Sequence, residues 1–324
     1  MSEATVPGLT SLTGKDPANY RPHPLHGEGR SYLETNCYTD IIIELLHACG
    51  YEPLAGFGHL VRMDFEGDQW TFFKPPPDDL ELLFGVDIHE MQPYRPLPVQ
   101  MAEQIERGRT IIVELDSWYL PDTASTSYRS EHVKTSVAAD AIDRERERLR
   151  YFHSAGLFEL EGEDYRGVFR IGEFSDDVLP PYTELARFDA GPPLRGEELR
   201  EAAVVLLREH LSVAPRDNPF ERFGAALARE LPALLGRELD DYHAYAFATV
   251  RMAGSAFEVA ASHARWLHGA AADPAVEAMS EIVDGCKALS FRLARRRQFD
   301  PEPLIATLAS AWARALAALS DATG

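Results

Sequence analysis

The last 146 residues of the chain show a single repeating pattern, and it constrains the fold more than any other feature. From about residue 179 to residue 324, apolar residues recur at helical spacing in five segments rich in Ala, Leu and Arg. Two proline pairs, Pro180-Pro181 and Pro192-Pro193, precede the first segment and indicate a connector. The pattern predicts an all-α bundle of about five helices for residues 179–324.

Residues 31–178 have a mixed pattern instead. A helix is predicted from about Asn36 to Gly50, because Thr35 or Asn36 suits its start and glycine suits its end. A hairpin is predicted over residues 59–74, with its turn at the charged sequence EGD.

Further along, two short helices precede four predicted strands. The helices are DLELLFG and residues 98–107, and the strands are RTIIVELDSWYL, HVKTSVAAD, RLRYFHSAGLFEL and RGVFRI. Helices followed mostly by strands are typical of the α+β class. The first 30 residues, rich in Pro, Gly, Ser and Thr, are predicted to form a poorly ordered arm.

Charge and cysteine content exclude several classes of protein. Asp and Glu number 52 against 32 Lys and Arg, a net charge of −20, which repels nucleic acids and anionic membranes. No stretch reaches the ~18 apolar residues of a membrane span, and the N-terminus lacks a secretory pattern. Three cysteines without a CxxC cannot build a disulfide framework. We expect a cytoplasmic protein that binds neither nucleic acid nor membranes.

Cys37 is the position most suggestive of chemistry. It falls in the first turn of the predicted helix, where unpaired N–H groups and the helix dipole favour a thiolate. These effects are worth only about 0.3–1 kcal/mol at an exposed helix end, so an activated nucleophile also needs a histidine. The alternative is a small buried residue at a helix start.

His132 is the predicted partner, because it begins a strand after a polar loop and can face a cleft there. A solvated loop histidine is the alternative. His153, on the next strand, is predicted either to orient His132 or to pack in the sheet. Asp116 interrupts an apolar strand and is a further candidate for orienting the base.

Four residues are predicted to contact substrate: Asn36, Tyr38, Trp70 and Tyr128. For Trp70 a place in the core is the alternative. No metal site is predicted, since the HPLH sequence near residue 25 lacks a third ligand nearby and the MDFEGDQW turn lacks calcium-loop spacing. The sequence also lacks a P-loop, a strand-linked GxGxxG, an HExxH and a GxSxG elbow.

Three segments together resemble a known family: TNCYTDIIIELLHACGYEP, DFEGDQWTFFKPPPDDLELLFGVDIHE and GRTIIVELDSWYLPDTASTSYRSEHVKTS. They are similar to a bacterial family of unknown function, DUF1839, and the resemblance covers nearly the whole chain after the arm. Genes of that family often lie near those of carrier proteins and of carrier-protein aminoacylating ligases.

A more distant resemblance is to the butirosin-type acyltransferases, which have a papain-like N-terminal domain followed by helices. There a cysteine at a helix start takes an acyl group from a carrier protein, and a histidine on a later strand activates it. Cys37 and His132 match these positions, and His153 falls near the orienting residue. The papain-type oxyanion glutamine, six residues before the cysteine, is Ser31 here.

The resemblance implies a papain-like domain over residues 31–178 and an acyl- or aminoacyltransferase. Its substrates would be the phosphopantetheine thioester of an acyl or aminoacyl carrier protein and an amine or other small-molecule acceptor, with no bound cofactor. Two alternatives stay open. One is a cysteine peptidase, amidase or thioesterase that uses water as acceptor, and the other is a non-catalytic binding or scaffold protein.

Overall fold

The computed structural model describes residues 10–172 and 179–324, and these form two compact units. The sheet unit comprises residues 10–23, 37–51, 80–172 and 179–193. The helical unit comprises residues 24–36, 52–79 and 194–324. The chain is therefore α+β, with a helical C-terminal region as its sequence pattern predicted.

A six-stranded antiparallel sheet is the core of the sheet unit. Its strands are β1 (Asp87–Glu90), β2 (Arg109–Asp116), β3 (Lys134–Asp143), β4 (Arg148–His153), β5 (Gly156–Glu161) and β6 (Thr183–Arg187). The spatial order is β1-β6-β2-β3-β4-β5. Because β6 pairs with both β1 and β2, the sheet includes residues beyond position 178, where we predicted the first domain to end.

Four helices accompany the sheet strands in sequence: α1 (Cys37–Ala48), α2 (Pro77–Phe84), α3 (Leu97–Glu106) and α4 (Glu163–Val168). One face of the sheet forms a buried core with α3 and α4, in which Val113 and Val137 pack with Met101 and Tyr165. Successive strand residues point to opposite faces, so Ser136 lies on the other face. There α1 packs against β3 and β4.

Residues 11–20 of the predicted N-terminal arm are hydrogen-bonded within the sheet unit. Residues 1–9 lie outside the described residues, whereas residues 10–30 include two 3-10 turns, Pro17–Asn19 and Pro24–His26. In the sheet unit, the buried carboxylate of Asp140 accepts hydrogen bonds from Ser11 Oγ and from both the backbone and hydroxyl of Thr13. The fully buried Glu44 of α1 accepts from the Tyr20 hydroxyl at 2.5 Å.

In the helical unit, six helices follow residue 195 in the described chain. They are α5 (Gly196–Ser212), α6 (Pro219–Leu234), α7 (Leu239–Ala246), α8 (Met252–His268), α9 (Asp273–Ala294) and α10 (Glu302–Thr323). We predicted one long helix where α7 and α8 lie, and a π-helical turn at Phe247–Arg251 joins these two.

Three local predictions were wrong. The hairpin over residues 59–74 is instead a 3-10 segment, Pro53–Arg62, followed by an isolated bridge between Phe65 and Trp70. Nearly every side chain in Pro53–Arg62 is buried, and the segment packs against α5 and α8, so its apolar run does not reflect a strand.

The other two errors concern the end of the sheet. The predicted strand RLRYFHSAGLFEL is a hairpin, because Ser154 takes a positive φ of 45° and allows a tight turn between β4 and β5. The predicted strand RGVFRI begins within α4, whose first turn contains Glu163 and Asp164 and so complements the helix dipole.

One helix of the described residues, α10, is long and apolar enough to span a membrane, with a mean hydropathy of 1.3 over its best window. A core helix of a water-soluble protein passes the same test. Leu308, Trp312 and Leu319 of this helix are buried, and α10 packs against α9 and α6.

Candidate functional site

Cys37 is the first residue of α1, as its sequence context predicted. Its side chain is half-buried, and its Sγ atom lies 3.7 Å from the Ser136 hydroxyl on β3. The thiol therefore faces the sheet rather than bulk solvent. Among the described residues, the Cys37 sulfur forms its hydrogen bond with this Ser136 hydroxyl.

The other two cysteines differ from Cys37 in their surroundings. Cys286 is buried in α9, and burial raises the pKa of its thiol to about 12. Burial likewise raises the pKa of Cys49 to about 12. Both are therefore protonated and unreactive at neutral pH, which leaves Cys37 as the candidate nucleophile among the three.

His132 lies two residues before β3 and is held by two neighbours. Its Nδ1–H donates a hydrogen bond to Asp116 Oδ2 at 2.6 Å. Its ring stacks on Trp118, with centroids 4.6 Å apart and planes 9° apart. The other Asp116 oxygen accepts from the Trp118 backbone N–H at 3.0 Å, so this carboxylate holds both the His132 ring and the backbone of Trp118. The arrangement leaves His132 Nε2 as an available base, because a carboxylate on Nδ1 selects that tautomer.

A cavity of about 260 Å³ in the sheet unit has Asp116 and His132 in its wall. The remaining wall is mainly apolar and includes Leu97, Tyr119 and Phe169. Gly167 is needed there, because a Cβ at this position would lie 2.2 Å from the Tyr119 ring. The cavity is smaller than typical drug-sized pockets of about 300–1,000 Å³ and suits a small group.

The strand register relates Cys37 to the His132–Asp116 pair. Ser136 is opposite Glu114, and Asp116 is the next residue of β2 on that same face. Diagonal cross-strand neighbours of this kind lie about 7–8 Å apart. Ser136 and Asp116 therefore lie on the same face of the sheet by register, whereas the cavity that includes His132 is also lined by Leu97 of α3 and Val168 of α4, which pack on the opposite face. No hydrogen bond among the described residues joins Cys37 to His132, and Cys37 is not in the wall of the 260 Å³ cavity.

His153 has different partners from those that the resemblance suggested. Its Nδ1 is 2.5 Å from Asp122 Oδ2, and its Nε2 is 2.9 Å from the Thr135 hydroxyl. The Tyr151 hydroxyl donates to the second Asp122 oxygen at 2.5 Å. The His153 and Asp122 side chains are only 7% and 5% exposed, so this group is part of the sheet interior.

The predicted substrate contacts lie in several places. In the helical unit, Asn36 donates to the Phe73 carbonyl, and Trp70 is 1% exposed and packs 4.7 Å from the Phe220 ring. In the sheet unit, Tyr38 is buried beside Glu184, and both burial and that carboxylate raise its pKa.

Tyr128, the fourth predicted substrate contact, also lies in the sheet unit. Its hydroxyl donates to Asp164 at 3.0 Å, and the Arg129 guanidinium lies over its ring, 5.4 Å from the centroid. It is a neighbour of α4 rather than of Cys37.

Within the described ranges, no group of three or more His, Cys, Asp or Glu side chains is arranged to hold a metal ion.

Sequence reasoning missed Ser136 and Trp118. For Ser136 the signal is the pair of polar residues, Thr135 and Ser136, inside an otherwise apolar strand, since such a pair puts one hydroxyl on each face. For Trp118 the sequence holds no comparable signal, because the stack depends on how the loop after β2 folds.

Two family models together match almost the whole chain. The DUF1839 N-terminal domain matches residues 21–188, and the DUF1839 C-terminal domain matches residues 196–321. A search of curated proteins gave no match.

Proposed function

The chain belongs to the DUF1839 family, and we propose that it is a cysteine-dependent acyl- or aminoacyltransferase. It would move an acyl group from the phosphopantetheine thioester of a carrier protein to an amine or another small acceptor. The observation that supports this most is the 2.6 Å hydrogen bond between Asp116 and His132, which leaves Nε2 available as a general base. The orienting carboxylate is then Asp116 rather than a residue of the next strand.

A papain-like arrangement is part of the proposal. In it, a cysteine at the start of a helix packs on an antiparallel sheet, and a histidine lies at the start of a strand in that sheet. Cys37 at the start of α1 and His132 just before β3 correspond to these two positions. Ser136 is only four residues after His132 in the sequence. Even in a fully extended chain, the Cα atoms of these two residues are therefore at most about 14 Å apart.

The acylation step balances without a cofactor. His132 Nε2 takes the proton of the Cys37 thiol, and the sulfur attacks the thioester carbonyl carbon. A new carbon–sulfur bond forms to Cys37, the bond to the pantetheine sulfur breaks, and His132 returns the proton to the departing thiolate. Exchange of one thioester for another is nearly isoenergetic, so the step needs positioning and a thiolate more than it needs a strong acid.

Deacylation uses the same groups in reverse. An amine attacks the Cys37 thioester while His132 takes its proton, an amide forms, and the proton returns to the Cys37 sulfur as it leaves. Water as acceptor would give a carboxylic acid instead, and the protein would then be a thioesterase or amidase. The backbone N–H groups in the first turn of α1 are the proposed donors to the oxyanion in both steps.

Intact-protein mass spectrometry tests the proposal. After incubation with an acyl-carrier protein, the wild type and a matched Cys49→Ala control should gain the mass of one acyl group, whereas Cys37→Ala should not. An adduct that persists in Cys37→Ala contradicts the assignment.

Adding amines to the acylated protein separates the two acceptors. Faster loss of the adduct with formation of an amide supports a transferase. Release of free acid at the same rate with and without amines supports a hydrolase.

A further inference from the structure

The C-terminal end of α9 and the residues that follow it form a basic surface in an otherwise acidic protein. Between residues 285 and 299 the chain has five cationic side chains and no Asp or Glu, whereas the net charge of the whole chain is −20. The five are exposed, and they are Lys287, Arg292, Arg295, Arg296 and Arg297. With the neighbouring Phe291 they form what we term the α9 basic surface, which belongs wholly to the helical unit.

Helical spacing places an open aromatic ring among these cations. Lys287, Phe291 and Arg295 are four residues apart, so they follow one another along one face of α9. Arg292 is three residues before Arg295 and is therefore its neighbour on the helix surface. The Phe291 side chain is 61% exposed. Arginine and aromatic residues are the types that protein–protein interfaces prefer, so the composition of this surface is that of an interface.

No carboxylate is paired with these cations within the part of the chain that the structure describes. None of the five has an acidic side chain within ion-pair distance there. The Arg296 guanidinium donates instead to the backbone carbonyl of Arg237, whose own exposed side chain adds a further positive charge. The Arg292 guanidinium lies 5.9 Å from the centroid of the Phe299 ring. These contacts orient the arginines without neutralising them.

The nearest carboxylates along the chain lie to either side of the surface. Asp284 precedes it on α9, and Asp300 follows it and accepts a backbone N–H at the start of α10. On the adjacent helix, Asp240 and Asp241 lie in the first turn of α7, where they complement the dipole of that helix. The arginines therefore give the end of α9 a positive charge of its own.

The dipole of α9 explains only part of this arrangement. Cations stabilise the C-terminal end of a helix, and the effect falls off within the last turn. It accounts for Arg292 and Arg295, whereas Arg296 and Arg297 lie beyond the end of α9 at Ala294. Nor does it account for the exposed ring of Phe291, since phenylalanine is only an intermediate helix former. An interface accounts for all of these features together.

We infer that the α9 basic surface docks the acidic face of a protein, and that this partner is the carrier protein of the proposed function. The choice of the carrier protein rests on that function, whereas the docking surface does not. A net charge of −20 repels an acidic partner from most of the molecule, so association needs a local region of opposite charge. At physiological ionic strength charges act over only about 8 Å, so this surface can attract such a partner despite the acidic remainder.

A compact acidic protein fits this surface better than an extended polyanion does. At 1.5 Å per residue, the helical part of the surface and the turn after it span about 15 Å. A DNA duplex or an anionic membrane extends well beyond that length and would face the acidic remainder of the chain. A small protein can confine its acidic face to the arginines.

Isothermal titration calorimetry of the full-length chain with an acidic apo acyl-carrier protein tests the inference. The apo form lacks the phosphopantetheine arm, so no reaction at Cys37 contributes to the signal. We expect one site with a Kd of about 100 μM or tighter at about 50 mM salt, weakened about fivefold or more at about 300 mM salt. Absence of saturable binding at the lower salt concentration, or binding that salt does not weaken, overturns the inference.

Two charge-matched double variants locate the binding surface. Arg292→Glu/Arg295→Glu should weaken binding about tenfold or more, because it places two carboxylates against an acidic partner. Arg216→Glu/Arg229→Glu lowers the net charge equally, at two exposed arginines of the helical unit outside the α9 basic surface, and should weaken binding less than about twofold. Equal weakening by both would show that only the overall charge matters and would contradict the inference.

Titrations of other anions test the choice of partner. Vesicles of phosphatidylserine and a short DNA duplex are added to the wild type under the same conditions. We expect either to bind more weakly than the carrier protein, and binding as tight as that of the carrier protein would overturn the choice of a protein partner.

The docking surface and the acyl transfer can fail separately. A wild type that binds the carrier protein through the end of α9, yet is never acylated, would refute the proposed function and leave the docking surface in place. Acylation of Cys37 together with equal affinity for the carrier protein in the wild type and in Arg292→Glu/Arg295→Glu would refute the docking surface alone.

Discussion

Two of the histidine–aspartate pairs in the sheet unit, His132–Asp116 and His153–Asp122, have surroundings that differ in nearly every respect. His132 and Asp116 are 66% and 34% exposed at a strand end, and the second ring nitrogen of His132 is unengaged by the described residues. His153 and Asp122 are 7% and 5% exposed, and both ring nitrogens of His153 are engaged. The carboxylate contacts are almost the same, at 2.6 and 2.5 Å. The comparison shows that burial and a second hydrogen bond, rather than the pair itself, separate a structural histidine from one available for proton transfer.

The largest expected effect concerns the buried pair. Asp122→Ala should lower the free energy of unfolding by about 3–5 kcal/mol, because it leaves the His153 ring and the Tyr151 hydroxyl buried without their acceptor. The exposed counterpart, Asp116→Ala, should cost at most about 1 kcal/mol. Urea denaturation measures both, and equal losses would break the comparison.

Two further buried histidines, His59 and His263, have no hydrogen bond to a carboxylate, and they make the stability of the protein depend on pH. Burial lowers the pKa of His59 to about 3 and that of His263 to about 4, below the value of about 6.5 in the unfolded chain. Below about pH 6.5, the unfolded state therefore binds more protons than the folded state does. The stability present above that pH is lost as the pH falls toward the pKa values of the two histidines in the folded protein.

The expected slope is up to about 1.4 kcal/mol per pH unit for each ring. Urea unfolding of the wild type and of His263→Phe at a series of pH values between about 7 and 5 measures it. In His263→Phe, the dependence of the unfolding free energy on pH should be smaller by the contribution of the His263 ring. An unchanged slope would show that His263 titrates alike in the folded and unfolded states.

A substitution in the wall of the cavity beside His132 should have a smaller effect on stability. Gly167→Ala should destabilise the protein by about 1–3 kcal/mol, because the added Cβ would overlap the Tyr119 ring and force it to move. Gly191→Ala is a matched control, since a Cβ there meets no atom within 4 Å. Thermal unfolding compares the two, and similar melting temperatures for both variants would contradict the tight packing.

The smallest expected effect comes from the ring beneath His132. Trp118→Leu removes a stacked aromatic partner worth about 0.5–1.5 kcal/mol, so the rate of Cys37 acylation should fall by about two- to tenfold. The free energy of unfolding should change little, since His132 is largely exposed. A rate equal to that of the wild type would show that Asp116 alone orients the imidazole.

The sequence predicted helices and central strands well, because their hydrophobic periods are local. Both α1 and β3 lie close to their expected bounds. β6 was missed because its five residues follow a proline pair that resembles a linker, and only pairing with β1 and β2 stabilises them as a strand. Long-range pairing of that kind leaves no period in the sequence.

The candidate site was predictable only in part, for a similar reason. Asp116 stood out because a carboxylate in an apolar strand must be paired or exposed, and it is hydrogen-bonded to His132. The contact of Cys37 with Ser136 depends on how α1 crosses β3, and sequence spacing does not encode that crossing.

The coupling of Cys37 to His132 is tested most directly by the rate at which iodoacetamide alkylates Cys37 in the folded protein at pH 7, followed by peptide mass spectrometry. Cys286 in the same sample serves as the buried internal reference. The account predicts that His132→Asn and Asp116→Asn each slow alkylation of Cys37 by about tenfold or more, with Cys286 unmodified throughout. An alkylation rate that is the same in wild type and in both variants would contradict it.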